Sequence, residues 1–221
     1  MTITFPRSFP TGLDAWGTCD FNLARQQVAN TTYGGQFTGM ELADAFWTCK
    51  YQTILLGIDG KDRAVWQAWF QSLKGVLNAF YGYDPEKRYP FYYGASVLNL
   101  TRYGGGAFNG TATVVSTTTS TISVSALPSG YQFSVGDYIS IPMTVGQRSL
   151  YQILEAVTAD GSGTATVTVE PSVRSGAATT ALGVQLVSPT CVMIIKPGTF
   201  SAQAQAGSAQ PVTFEAVQKL V

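Results

Sequence analysis

Three cysteines, thirteen carboxylates and no histidine are the groups with which this chain could do chemistry. Without histidine there is no imidazole acid or base, no Ser–His or Cys–His relay and no histidine metal ligand. Cys19, Cys49 and Cys191 are odd in number and widely spaced, with no Cys-x-x-Cys step. That is neither a disulfide framework nor zinc-site spacing, and it reads as three buried thiols made in a reducing cytoplasm. Carboxylates work in pairs in glycoside hydrolysis. Here Glu41 and Asp44 sit three apart, but nothing in the surrounding residues frames them as a site. Asp137, in a Gly-Asp step, reads as the acid of a turn before a strand. The glycines of TRYGGGAFNG lack the Lys-Ser/Thr of a phosphate loop and the strand–loop–helix context around it. No calcium-loop pattern occurs. The sequence therefore offers no catalytic residue, no cofactor site and no metal site, and reads as a part rather than a catalyst.

Charged residues make up 12% of the chain, about half the usual ~25%, and the formal net charge is zero. A nucleic-acid binder needs a basic stripe to neutralise phosphates, and no Lys/Arg run exists. The densest cluster, DPEKR at 84–88, alternates in sign and reads as a solvated loop. Low charge combined with 11 Tyr, 12 Phe and 4 Trp suits a subunit whose surface is covered by neighbours. Interfaces are poor in Lys, Glu and Asp and rich in aromatics, whereas a free monomer relies on charge to stay apart. A stable β-protein with a Ser/Thr surface is the plainer alternative. The start MTITFPRSFP lacks the basic and apolar regions of a signal peptide, and no apolar run approaches the ~20 residues of a membrane span, so no membrane insertion is expected.

The elements that would position these residues divide into two textures. Strands are expected at 19–28 and 45–57, around a Gly-rich turn in ANTTYGGQ. A helix follows over GKDRAVWQAWFQSLKGVLNAFYG. Its core stripe is Val65, Trp66, Trp69, Phe70 and Leu73, continuing to Val76, Leu77 and Phe80. Asp59 or Asp62 would cap its start, and Gly75 would mark its end or a close approach. From 104 to 110 the Gly-rich GGGAFNG reads as a hinge. Beyond it, TATVVS, STISVSA, GDYISIP, LYQILEAVT, TATVTVEP and TALGVQLV are six short strands separated by turns, suiting a small barrel or sandwich. Apolar strands return at 191–198 and 211–217. The fold class expected is mainly β: a β-sandwich domain with one packed α-helix (residues 1–105, completed by 190–221) carrying an inserted small β-barrel or sandwich (106–189). Within that insertion the only aromatics are Phe108, Tyr131, Phe133, Tyr138 and Tyr151. Tyrosines crowd residues 81–103, and Tyr gives large contact area at low entropic cost. Tyr89, Phe91, Tyr92, Tyr93 and Tyr103, with Gln203 and Gln205 of the polar loop 201–210, are therefore the candidate subunit-contact residues.

FPRSFPTGLDAW, AFWTCKYQTILL and DRAVWQAWFQSLKGVLNAFYGYDP resemble the opening of tail-tip proteins of long-tailed bacteriophages. GDYISIP, the strand pair ending in Glu-Pro and the terminal VTFEAV are similar to the same group. The resemblance implies a distal tail protein, a β-sandwich with one packed helix that forms a hexameric ring, with a second β-domain projecting outward. It further implies partners: copies of itself, tail-tube or tail-terminator-side proteins, and hub or baseplate proteins, with DNA only in transit through the lumen. The protein would be made in the host bacterial cytoplasm and located in the virion. No catalytic residue is carried over. A carbohydrate-binding or host-surface module of a virion is the second reading.

Overall fold

The computed structural model describes residues 3–57, 60–143, 148–174, 183–203 and 209–220. In chain order its elements are β1 (Trp16–Thr31), β2 (Phe37–Thr53), α1 (Lys61–Leu73), β3 (Phe80–Gly82), β4 (Thr111–Thr117), β5 (Thr121–Ser125) and β6 (Gln132–Phe133). There follow β7 (Tyr138–Pro142), β8 (Arg148–Ile153), β9 (Val157–Thr158), β10 (Ala165–Glu170), β11 (Gly183–Gln185), β12 (Cys191–Ile195) and β13 (Thr213–Gln218). The protein is mainly β. One five-stranded antiparallel sheet has the order β1-β2-β13-β12-β3, and six strands close a small barrel.

The sheet has one apolar face because its strands alternate. From Ala45 onward β2 buries Ala45, Trp47, Cys49, Tyr51 and Thr53, while β13 buries Phe214, Ala216 and Gln218 between outward Thr213 and Glu215. Helix α1 lies on that face. Trp66, Trp69 and Leu73, at steps of three and four, are fully buried, and Phe70 stacks on Phe200 at 4.0 Å. Phe9 stands at the centre of the ring cluster, with centroids 4.8 Å from Trp16, 5.3 Å from Phe80, 5.4 Å from Tyr51 and 5.6 Å from Trp69. Most of these pairs are tilted or edge-on, the arrangement that ring quadrupoles favour.

The helix departs from the expected stripe in two places. Val65 is 46% exposed, because one residue before Trp66 turns the side chain about 100° away from the sheet. The helix also stops at Leu73. Lys74 and Gly75 both adopt positive φ, 51° and 69°, and the Asn78 amide donates to Leu73 O while its side chain donates to Ser72 O. Val76 and Leu77 are consequently exposed, and Phe80 is buried as part of β3 instead. Gly60 occupies the N-cap position, so Asp62 sits inside the first turn rather than capping it; Asp59 lies outside the described residues.

The barrel runs β10-β5-β4-β11-β7-β8 and back to β10, antiparallel throughout. Its interior takes alternate residues of each strand, among them Val114, Ile122, Val124, Ile139, Ile153 and Val167. The outward residues Tyr138 of β7 and Leu150 of β8 belong to the sheet's core, so β7 is buried on both faces. The segment expected as a hinge is a fixed turn: Arg102 N donates to Gly106 O, Thr101 bridges Ala107, and Phe108 is buried beneath Leu100. Three successive glycines, Gly104 to Gly106, take positive φ there, so glycine serves conformation and not looseness. Strands β6 and β9 form a separate two-stranded pair.

Phe214→Ala removes a ring that meets Tyr51, Trp66, Trp69 and Phe80. It should cost about 3–5 kcal/mol in urea unfolding, whereas Val65→Ala should stay within ~0.5 kcal/mol. Equal effects would mean that the helix packs by another face.

Candidate assembly surface

β1 and β2 form one long hairpin with two different halves. At its base, residues 16–24 pair with 46–53, and Phe21 and Leu23 pack against the core beside Trp47 and Tyr138. Register shifts at Ala24/Gln26 and Gln26/Gln27 then break the ladder. Such bulges bend and re-aim a strand pair. Beyond them Gln27 to Thr31 pairs with Glu41 to Phe37, and the tip is a tight turn in which Thr32 N donates to Gln36 O and Gln36 N to Thr32 Oγ1. Every residue from Gln26 to Asp44 is exposed. At ~3.3 Å per residue, the free half stands roughly 20 Å beyond the bulge.

This arm was only half legible as a strand pair. The expected first strand ended at residue 28 and the second began at 45, whereas β1 runs to Thr31 and β2 starts at Phe37. The missing half has no core-facing alternation, because no core lies beside it. What it has instead is Val28, Met40 and Leu42 exposed on one side and Phe37, 81% exposed, on the other. Between Gln26 and Met40 there is no charged residue and no proline. Both outer edges carry unpaired backbone groups among the described residues, since β13 meets β2 only at Thr48–Gln52. Free edges are normally blunted by Lys, Pro or a covering element, and a lone two-stranded ribbon is marginal in water.

The bulge is braced by charge. Arg25 donates to Glu170 of the barrel at 2.7 Å and pairs with Glu41 at 3.5 Å, while Arg174 pairs with Asp44 at 3.2 Å. Glu41 and Asp44 are thus each engaged by an arginine.

The aromatic candidates fall into two groups. Tyr89, Phe91, Tyr92 and Tyr103 are exposed, Phe91 by 86%, and the Phe91 amide is anchored on Asp137 at 2.8 Å. Tyr93 differs: its hydroxyl accepts from Gln132 N at 3.0 Å and its ring stacks on buried Tyr131, so it serves the protein's own fold. Gln203 is exposed, with its carbonyl accepting from Arg63, and Gln205 lies outside the described residues.

Away from the core, the sheet's polar face holds a depression of ≈ 400 Å³ lined by Thr18, Asp20, Lys50, Gln52, Thr213 and Glu215. Glu215 is held between two cations, Lys196 at 3.2 Å and Lys50 at 3.5 Å. The hydrogen bond from Lys196 holds the Glu215 carboxyl below its usual range. Among the described residues no group of three or more acids or cysteines is placed to hold a metal, and no helix is long and apolar enough to cross a membrane. No protein-family model and no curated protein sequence matches the chain.

Two measurements test this geometry. Arg25→Ala removes two partly exposed ion pairs and should change stability by less than about 1 kcal/mol for each, yet speed amide exchange at 26–31 and 37–43; unchanged exchange would mean the arm is not braced there. Because the folded pKa of Glu215 is depressed, its contribution is present above the unfolded value of ~4.5 and lost as pH falls through the folded one. Wild type should therefore lose stability more steeply than Glu215→Gln on acidification below about pH 5, and parallel curves would refute the linkage.

Proposed function

We propose that this chain is a structural subunit of a bacteriophage tail tip, forming a ring that joins the tail tube to the hub or baseplate around the DNA channel. The observation that carries the reading is the projecting arm. It is a hairpin with free edges, no charge between Gln26 and Met40, and exposed Val28, Phe37, Met40 and Leu42, and none of the described residues covers it. A second copy of the chain is the natural cover. Identical subunits then meet by head-to-tail contacts that close by rotation. The resemblance to distal tail proteins in the strands, the helix and the barrel segments points the same way. Exposed Tyr89, Phe91, Tyr92 and Tyr103 supply a further contact surface. The carbohydrate-binding reading draws less support, because all five aromatics of the inserted segment, Phe108, Tyr131, Phe133, Tyr138 and Tyr151, are buried.

The test is mass in solution by light scattering, with negative-stain imaging of the same sample. The full chain should form closed rings, six-fold in the simplest case. A variant with residues 27–41 replaced by Asn-Gly keeps the packed base of the hairpin and should remain monomeric. Rings formed equally well by that variant would sink the arm's role. A monomeric full chain that binds a glycan panel would favour the second reading.

A further inference from the structure

Cys19 stands opposite Tyr51 across the β1–β2 ladder, and Cys49 stands opposite Phe21. The two cysteines are therefore diagonal neighbours. In a flat sheet a diagonal is too long for a disulfide, but the right-handed twist shortens one of the two diagonals. Their sulfurs are 3.2 Å apart, each the other's contact, so this pair lies on the short one. We propose that Cys19 and Cys49 are an oxidation site at which a peroxide converts two adjacent thiols into an intramolecular disulfide across the base of the arm.

The pair is asymmetric. Cys19 is half-buried on β1, the edge strand, and is the sulfur an oxidant in solvent reaches. Cys49 is buried, and burial first, then the Cys19 thiol beside it, push its thiol up. Reaction thus begins at Cys19. Its sulfur takes one peroxide oxygen as the O–O bond breaks and water leaves, giving a sulfenic acid. The Cys49 sulfur then attacks the Cys19 sulfur. The S–S bond forms, the S–O bond breaks, and the Cys49 proton leaves with the oxygen as a second water. Two thiols and one hydrogen peroxide give one disulfide and two waters, each sulfur losing one electron to the peroxide.

Cys191 is the internal control. It is fully buried on β12, its thiol pushed up by burial, and should stay reduced. The bond would tie together residues 30 apart in sequence and fix an edge strand that, among the described residues, β2 alone holds in the sheet. The inference stands on the ladder geometry and does not depend on the ring.

The experiment uses the full chain, purified reduced, exposed to a slight excess of hydrogen peroxide, then alkylated and digested for mass spectrometry. Two of the three thiols should disappear, with the mass falling by two hydrogens, a Cys19–Cys49 linked peptide, and reversal by dithiothreitol. The melting midpoint should rise by roughly 5–10 °C. In Cys49→Ser, Cys19 should accumulate a dimedone-trappable sulfenic acid that wild type does not; if that variant misfolds, the wild-type thiol count decides alone. Three surviving thiols, a trapped or over-oxidised Cys19 with Cys49 free, or a disulfide joining two chains would each overturn the proposal.

Discussion

The chain leaves the sheet at Gly82 and returns to it at Cys191, and those two residues are partners across the β3–β12 ladder. Because the ends are held side by side, a barrel can be inserted between them without opening the sheet. The junction is clamped from β2. The Tyr51 hydroxyl donates to Tyr83 O at 2.8 Å and accepts from Tyr83 N at 3.0 Å, satisfying both backbone groups of the first residue beyond β3. Burial pushes this phenol well up, so it keeps the proton that the first of these bonds requires. A larger residue at Gly82 would have to displace the buried Met193 side chain: a Cβ there would come within 2.2 Å of Met193 Sδ and 3.1 Å of the Tyr51 hydroxyl.

From that clamp the barrel is set against the sheet by packing more than by charge. Trp47 donates its indole N–H to Leu150 O at 2.8 Å while its ring meets Phe21 and Tyr138, so one β2 side chain touches the arm's base and the barrel at once. Lys87 lies over the Tyr138 ring, Ser140 donates to Thr190 O, and Asp137 holds the Phe91 and Ser134 amides. The ion pairs from Arg25 and Arg174 come last in this order. Being partly exposed, each contributes little to stability, but both lie where the hairpin leaves the core and so bear on the direction the arm takes.

What was legible in the sequence is what a core dictates. The steps of Trp66, Trp69 and Leu73 gave the helix its inner face, and alternation gave most barrel strands, because burial writes a period into the chain. The outer half of the arm has no core and hence no period, so Phe37 to Asp44 did not read as strand. Val65 was included in the stripe because its apolar side chain counts the same on either side of Trp66. The run Gly104 to Gly106 was misread because positive φ and flexibility use the same residue. The Cys19–Cys49 contact was out of reach, since it depends on the register of the hairpin, and three scattered cysteines carry no trace of that.

On the proposed reading, the arm's composition also bears on how subunits would assemble. Covering Val28, Tyr33, Phe37, Met40 and Leu42 would contribute on the order of 10 kcal/mol. That is comparable to the roughly 4–15 kcal/mol lost in translation, rotation and ordering when two chains associate. A single arm-to-neighbour contact is therefore near break-even. Closing a ring changes the balance: the last subunit makes two contacts for one loss of freedom. Open chains of two or three subunits would then be sparse beside monomers and closed rings. An arm without charge between Gln26 and Met40 but otherwise polar, with Gln27, Asn30, Thr31 and Thr38 among its apolar residues, suits that balance. It is soluble enough to stand free and apolar enough to hold once the circle is complete.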